Sequence, residues 1–151
     1  LPGNQSINTF TGFLKPDPEI TLTIPSATDK AISVGAYDTS TDKVASFSGR
    51  GFTRENNQIK PDIVAPGVNI RSAATGGGTT VLSGTSMATP FVTGSAALMM
   101  EWGIVRGNDP YLYGEKIKAY LIRGAKHLPG YEQWPNKQAG WGALCLRDSL
   151  V

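Results

Sequence analysis

Over residues 86–102 the chain is apolar on almost every side of a helical projection. Met87, Ala88, Phe91, Val92, Ala96, Ala97, Leu98, Met99, Met100 and Trp102 leave little room for a polar face. A helix of that kind is stable only when other structure surrounds it. Gly94, Ser95 and Ala96 give up some helix propensity but let a neighbouring backbone come close, and Pro90 suits a first turn, where a missing N–H costs nothing. The run therefore predicts a central helix buried on nearly every side, with Met99 and Met100 as core residues. At 151 residues the chain has room for one domain at most.

The elements that would surround this helix are short. Leu22 and Ile24 alternate with threonine ahead of Pro25, and residues 31–36 (Ala-Ile-Ser-Val-Gly-Ala) form a small, apolar run suited to a buried strand. Residues 38–43 read as a polar turn and 52–60 as an exposed loop. Ile63-Val64-Ala65, stopped by Pro66-Gly67, predicts a second buried strand. Residues 68–73 predict a third, and Gly76-Gly77-Gly78 breaks the chain before 79–82 resume an extended pattern. Further on, Ile117, Tyr120, Leu121 and Ala125 recur at helical spacing, with Glu115, Lys116, Lys118 and Arg123 elsewhere, so 114–125 predicts an amphipathic surface helix ending near Gly124. A last short helix is expected after Gly142. Strands first and helices later predict an α/β protein whose other strands lie upstream.

Composition narrows the function classes. With 14 Lys plus Arg against 12 Asp plus Glu, a net charge of +2 and no basic run, the chain lacks the footprint of a nucleic-acid binder. No apolar stretch approaches the roughly 18 residues of a membrane span, and the start at Leu1, without a basic segment or a hydrophobic run, is not expected to be a signal peptide but reads as cut from something longer. A single cysteine, Cys145, gives neither an internal disulfide nor a metal cluster. Charged residues make up only 17% of the chain, against about 25% in an ordinary domain, so much of its surface is expected to be covered.

One segment carries chemistry. Gly84-Thr85-Ser86-Met87-Ala88-Thr89-Pro90 puts a hydroxyl at the first turn of the buried helix, among small residues that leave room for a substrate. The unpaired amides and positive dipole end of a helix can stabilise the oxyanion formed when a serine attacks a carbonyl. By position alone Ser86 could equally be an N-cap. The segment, however, resembles the active-site serine motif of the subtilisin-like serine peptidases, and other segments resemble the same family in order: Ile32-Ser33-Val34-Gly35-Ala36, Ala45-Ser46-Phe47-Ser48, Lys60-Pro61-Asp62-Ile63-Val64-Ala65-Pro66-Gly67-Val68, and Gly140-Trp141-Gly142-Ala143-Leu144.

The resemblance implies a three-layer α/β fold with a mostly parallel sheet, of which 21–151 would be the C-terminal part. Residues 1–20 would be an irregular lead-in, read as the exit from an inserted domain like that of subtilases related to the clostridial germination proteases. It further implies a serine endopeptidase without cofactor that acts on peptides or proteins, secreted or in the cell envelope, with Ser86 as nucleophile. Gly84, Thr85 and Pro25 would contact substrate, Pro25 because Ile24-Pro25-Ser26 falls where the family has a cis proline beside its specificity pocket.

The family's acid and base precede the serine, in the order Asp, His, Ser. The one histidine, His127, follows Ser86 and is expected instead at a helix end, interacting with the dipole. Asp38-Thr39-Ser40 lies where the family has an ordinary turn, and Asn4 is a poor match for the oxyanion asparagine. The chain alone is therefore expected to be inactive, its partner being the missing N-terminal part of the catalytic domain. Where some relatives hold a weak cation, Lys60 stands in place of an acid, which argues against a metal, and Asp62 is expected to pair with a neighbouring donor or cation. Gly76-Gly77-Gly78 lacks the Lys and Ser/Thr of a phosphate loop. Two other readings remain: a non-catalytic scaffold derived from such a peptidase, and self-association through an uncovered face.

Overall fold

A computed structural model describes Lys15 and residues 17–150. Small and β-branched residues in the first half form β1 (Val34–Asp38), β2 (Lys43–Val44), β3 (Gly51–Phe52), β4 (Ile59–Lys60), β5 (Ile63–Pro66), β6 (Ile70–Ala73) and β7 (Thr79–Leu82). Helices α1 (Thr85–Met100), α2 (Gly114–Arg123) and α3 (Leu146–Ser149) follow, so the expected division into strands and then helices holds. A three-stranded sheet in the order β2-β1-β5 is the centre, with β1 and β5 parallel and β2 antiparallel to β1. The pairs β3–β4 and β6–β7 are separate antiparallel hairpins.

Alternation along β1 and β5 sorts the core into two sides. Val34, Ala36, Ile63 and Ala65 pack with α1 and α2 residues Ala88, Val92, Met99, Ile117 and Leu121. Val64, with Tyr37 and Val44, faces Leu128, Ala139, Ala143 and Trp134. Fully buried Met99 and Leu121 each contribute about 1.5–3 kcal/mol of apolar burial.

Four expectations need correction. First, β1 begins at Val34 rather than at Ala31, because side chains hold the backbone of 31–33: the Ser33 amide donates to Asp62 Oδ2 (2.7 Å) and the Ala31 carbonyl accepts from lysines. Second, residues 52–60 are not simply an exposed loop. Gly51 pairs with Lys60 and Phe52 with Ile59, and Lys60 is buried. Third, Leu22 and Ile24 form no strand; 24–27 is a turn, closed by the Thr28 amide on the Pro25 carbonyl at 3.0 Å.

Fourth, α1 is not surrounded. Its buried stripe is Ala88, Val92, Ser95 and Met99, packed on β1 and β5, while Phe91 is 42%, Leu98 52% and Met100 45% exposed. Met100 is thus not a core residue here, although Met99 is. The helix continues as a π-helical turn over Glu101–Val105. Pro90 also lies deeper than a first turn, because α1 starts at Thr85, and the Ser86 carbonyl loses the amide that another residue at 90 would offer it.

Candidate active site

The start of α1 is held at the carboxyl ends of β1 and β5. Past β5, the Gly67 amide donates to the Tyr37 carbonyl at 3.0 Å, and the Gly84 amide donates to the Gly67 carbonyl at 2.8 Å. Only a glycine lets this loop come so close, since a Cβ on Gly67 would meet the Ala36 Cβ at 2.5 Å and the Gly84 oxygen at 3.0 Å. In α/β sheets ligands bind beyond the carboxyl ends of the strands, and that is where the topology puts Ser86.

Gly84 is the N-cap and contributes no side-chain cap bond; Ser86 is the second helical residue. The N-cap alternative for Ser86 therefore falls. The amides of Met87 (3.0 Å) and Ala88 (3.3 Å) return to the Gly84 carbonyl, while those of Thr85 and Ser86 are the first-turn donors that a helix leaves without an internal acceptor. Ser86 is exposed, and no described residue hydrogen-bonds its hydroxyl. Thr89 turns its own hydroxyl onto the Thr85 carbonyl at 3.0 Å.

Thr85, Ser86 and Thr89 line a cleft of about 440 Å³, whose other walls include Leu22, Pro25, Ser26, residues 31–34 and Phe47. Pro25 follows a cis peptide bond. Ser86, Thr89, Pro90 and Thr93 line a second, open recess of about 460 Å³, so Ser86 borders both hollows. Of the residues singled out in the sequence, Thr85, Ser86 and Pro25 thus share one cleft, with Gly84 beside it as the cap.

Behind the cleft stands a charge cluster that the sequence shows only in part. Asp62 is 4% exposed and pairs with Lys60 (2.8 Å) and Lys118 (2.9 Å), in keeping with its expected donor or cation partner. Lys60 Nζ also donates to the carbonyls of Thr28 (3.0 Å) and Ala31 (3.2 Å), and Lys118 Nζ to those of Asp29 (2.9 Å) and Ala31 (3.3 Å). Burial pushes the Lys60 ammonium below the usual lysine range, and the Asp62 carboxylate opposes that shift. Nothing in the sequence announces Lys118, since its place in an amphipathic helix reads as solvent-facing.

His127 lies beyond α2 and not at its end. It is exposed, and its ring stacks on Trp134 with centroids 4.4 Å apart and planes within 1°, so the expected helix-dipole contact is replaced by an aromatic one. Asp38 caps its own turn: Oδ1 accepts from the Ser40 amide (2.9 Å) and hydroxyl (2.7 Å), and these bonds hold its carboxyl below the usual range. Gly76-Gly77-Gly78 is the positive-φ turn of the β6–β7 hairpin. Asn4 lies outside the described residues.

Known proteins are similar to this chain in sequence and fold. The structure of the CspB protease of Clostridium perfringens superposes with a TM-score of 0.88 at 49% identity, over 93% of this chain and 30% of that one. Serine protease AprX of Bacillus subtilis is 37% identical over 86% of this chain and 32% of its own length. Human membrane-bound transcription factor site-1 protease is 34% identical over 83% of this chain and 12% of its own. The chain thus spans a third or less of the length of each of these three relatives. Among the described residues no helix is long and apolar enough to cross a membrane. The model of the subtilase family matches residues 3–142, reaching back into the stretch that reads as a lead-in, and with nearly the whole chain inside that match and the α/β fold of solved subtilisin-like proteases around Ser86, the chain belongs to the subtilase family.

Proposed function

We propose that this chain carries the nucleophile of a subtilisin-type serine endopeptidase. The observation that carries the reading is the exposed Ser86 hydroxyl at the head of α1, bonded by no described residue and sharing a cleft with Pro25. Ser86 Oγ attacks the scissile carbonyl carbon, and the oxyanion is met by first-turn amides and the helix dipole. The C–N bond breaks, the amine leaves with the proton first taken from Ser86, and water hydrolyses the acyl-enzyme ester. Gly84 and Thr85 border the acyl group, and Pro25 shapes the pocket beside it.

A serine hydroxyl needs a base. His127, stacked on Trp134, is the only histidine in the sequence, so the histidine and aspartate come from polypeptide outside this sequence, and the chain alone is inactive. The parent acts outside the cell or in the envelope, as the family resemblance implies. The test is fluorophosphonate labelling, in which Ser86 Oγ displaces fluoride, read by mass spectrometry with and without the upstream part of the parent, against Ser86→Ala. Labelling only with both parts present is the expected result. Labelling of the chain alone sinks the claim of inactivity, and labelling of neither makes the chain a non-catalytic scaffold.

A further inference from the structure

Lys60 is 1% exposed, and its three ammonium protons match three acceptors: the Thr28 carbonyl, the Ala31 carbonyl and Asp62 Oδ2. Such a site is hard to explain as a device for stability alone, because replacing a buried ion pair by apolar side chains of equal volume is often neutral or stabilising. What an ammonium does, and a methionine would not, is fix the direction of carbonyl groups. The carbonyls it fixes belong to residues 28–31, which enter no strand. On one side of them lie Pro25 and Ser26, on the other residues 31–34, and both stretches line the Ser86 cleft. Asp62 is itself anchored, accepting from the Ser33 amide and from Lys118, so the cluster ties the loop to the end of β4 and to α2.

We infer that Lys60 is a positioning residue for substrate: its ammonium, seated on Asp62, holds residues 25–33 as a wall of the Ser86 cleft and so sets how firmly a peptide binds along it. This rests on the peptidase reading and deepens it. The wall is remote from the proton transfers at Ser86, so losing it removes binding that ground state and transition state share, which raises KM and spares kcat.

The test has two readouts on Lys60→Ala. In the chain itself, amide hydrogen exchange is followed for residues 25–33, with α2 as the internal reference. In the chain joined to the upstream part of its parent, kcat and KM are measured on a peptide substrate. Each is repeated with ethylammonium chloride, which can refill the vacated site, and with tetramethylammonium chloride, which cannot.

The expected result is faster exchange confined to 25–33, a KM raised about tenfold with kcat changed less than about threefold, and reversal of both by ethylammonium only. Wild-type exchange at 25–33 in a folded variant, an unchanged KM, or equal effects of the two salts would overturn the inference. Should Lys60→Ala fail to fold, Lys60→Met keeps the bulk and loses the donors, and it is read by exchange at 25–33 and by KM without the salts. If the unsubstituted protein hydrolyses no peptide, the peptidase reading fails, and the exchange data with the two salts still decide whether Lys60 holds the loop.

Discussion

A methyl group on Gly67 would sit 2.5 Å from the Ala36 Cβ and 3.0 Å from the Gly84 carbonyl oxygen. Both neighbours are backbone or attached directly to it, so neither can swing away. Gly67→Ala is therefore expected to cost about 1–3 kcal/mol and, by pushing on Gly84, to slow fluorophosphonate labelling of Ser86 in the presence of the upstream part. Gly76→Ala is the control: its φ of +83° is strained for alanine, yet nothing lies within 4 Å, so it costs about 1–2 kcal/mol and leaves labelling alone. Denaturant midpoints and labelling rates measure the two effects, and equal labelling in both variants would uncouple Gly67 from the site. At this scale the sequence is legible where the chemistry is contiguous. The 84–90 segment displays its hydroxyl and small residues side by side, and Lys60 and Asp62 are near neighbours in sequence, whereas Lys118 reaches Asp62 only because the fold brings α2 there, and a lysine in a polar stretch looks solvated until the fold is known.

The elements differ in legibility for a similar reason. Helix α2 is long enough to show its period, and Ile117 and Leu121 are buried as that period predicts. The strands β3 and β4 have two residues each, too few to alternate, and only cross-strand pairing separates them from a loop. The link from α1 to α2 is likewise tertiary. Asp109 donates its amide to the Gly103 carbonyl at 3.0 Å, while its carboxylate accepts from Lys116 (2.6 Å) and from the Tyr120 hydroxyl (3.0 Å). The Lys116 bond, with help from Tyr120, holds the Asp109 carboxyl below the usual range. A carboxyl with a lowered native pKa binds fewer protons folded than unfolded, so the stability it adds is complete above the ordinary aspartate value and is lost as the pH falls through the lowered one. Asp109→Asn should accordingly lower Tm near neutrality, and the gap from wild type should narrow below about pH 4. A gap that stays constant from neutrality into that acid range would mean that Asp109 stabilises this junction by packing and not by charge.

Taken as a whole, the molecule has more apolar surface than its own elements cover. Phe91 and Leu98 lie two turns apart on the outer side of α1, and Val105 (77% exposed), Tyr111 (83%) and Tyr113 (61%) continue beyond it. The sequence foretells this in part: a charged fraction of 17% says that some surface is covered, the resemblance points to a missing N-terminal part as the cover, and the apolar character of 86–102 says that α1 belongs in an interior, but none of these says which side of α1 the cover takes. That is why the helix reads as central and is found half bare. Exposed apolar area of this kind drives association. The chain by itself is expected to form dimers or larger species at micromolar concentration, which light scattering after size exclusion would measure. Phe91→Glu and Leu98→Glu together should return it to a monomer, because two carboxylates cannot be buried unpaired at such a contact. Their own cost in Tm should be small, since both side chains are already largely in water. The same pair should also block assembly with the upstream part of the parent, and with it the labelling of Ser86, if that part covers the outer face of α1. A chain that is monomeric from the start, and whose double variant assembles and labels normally, would show that this face is left bare in the working protein.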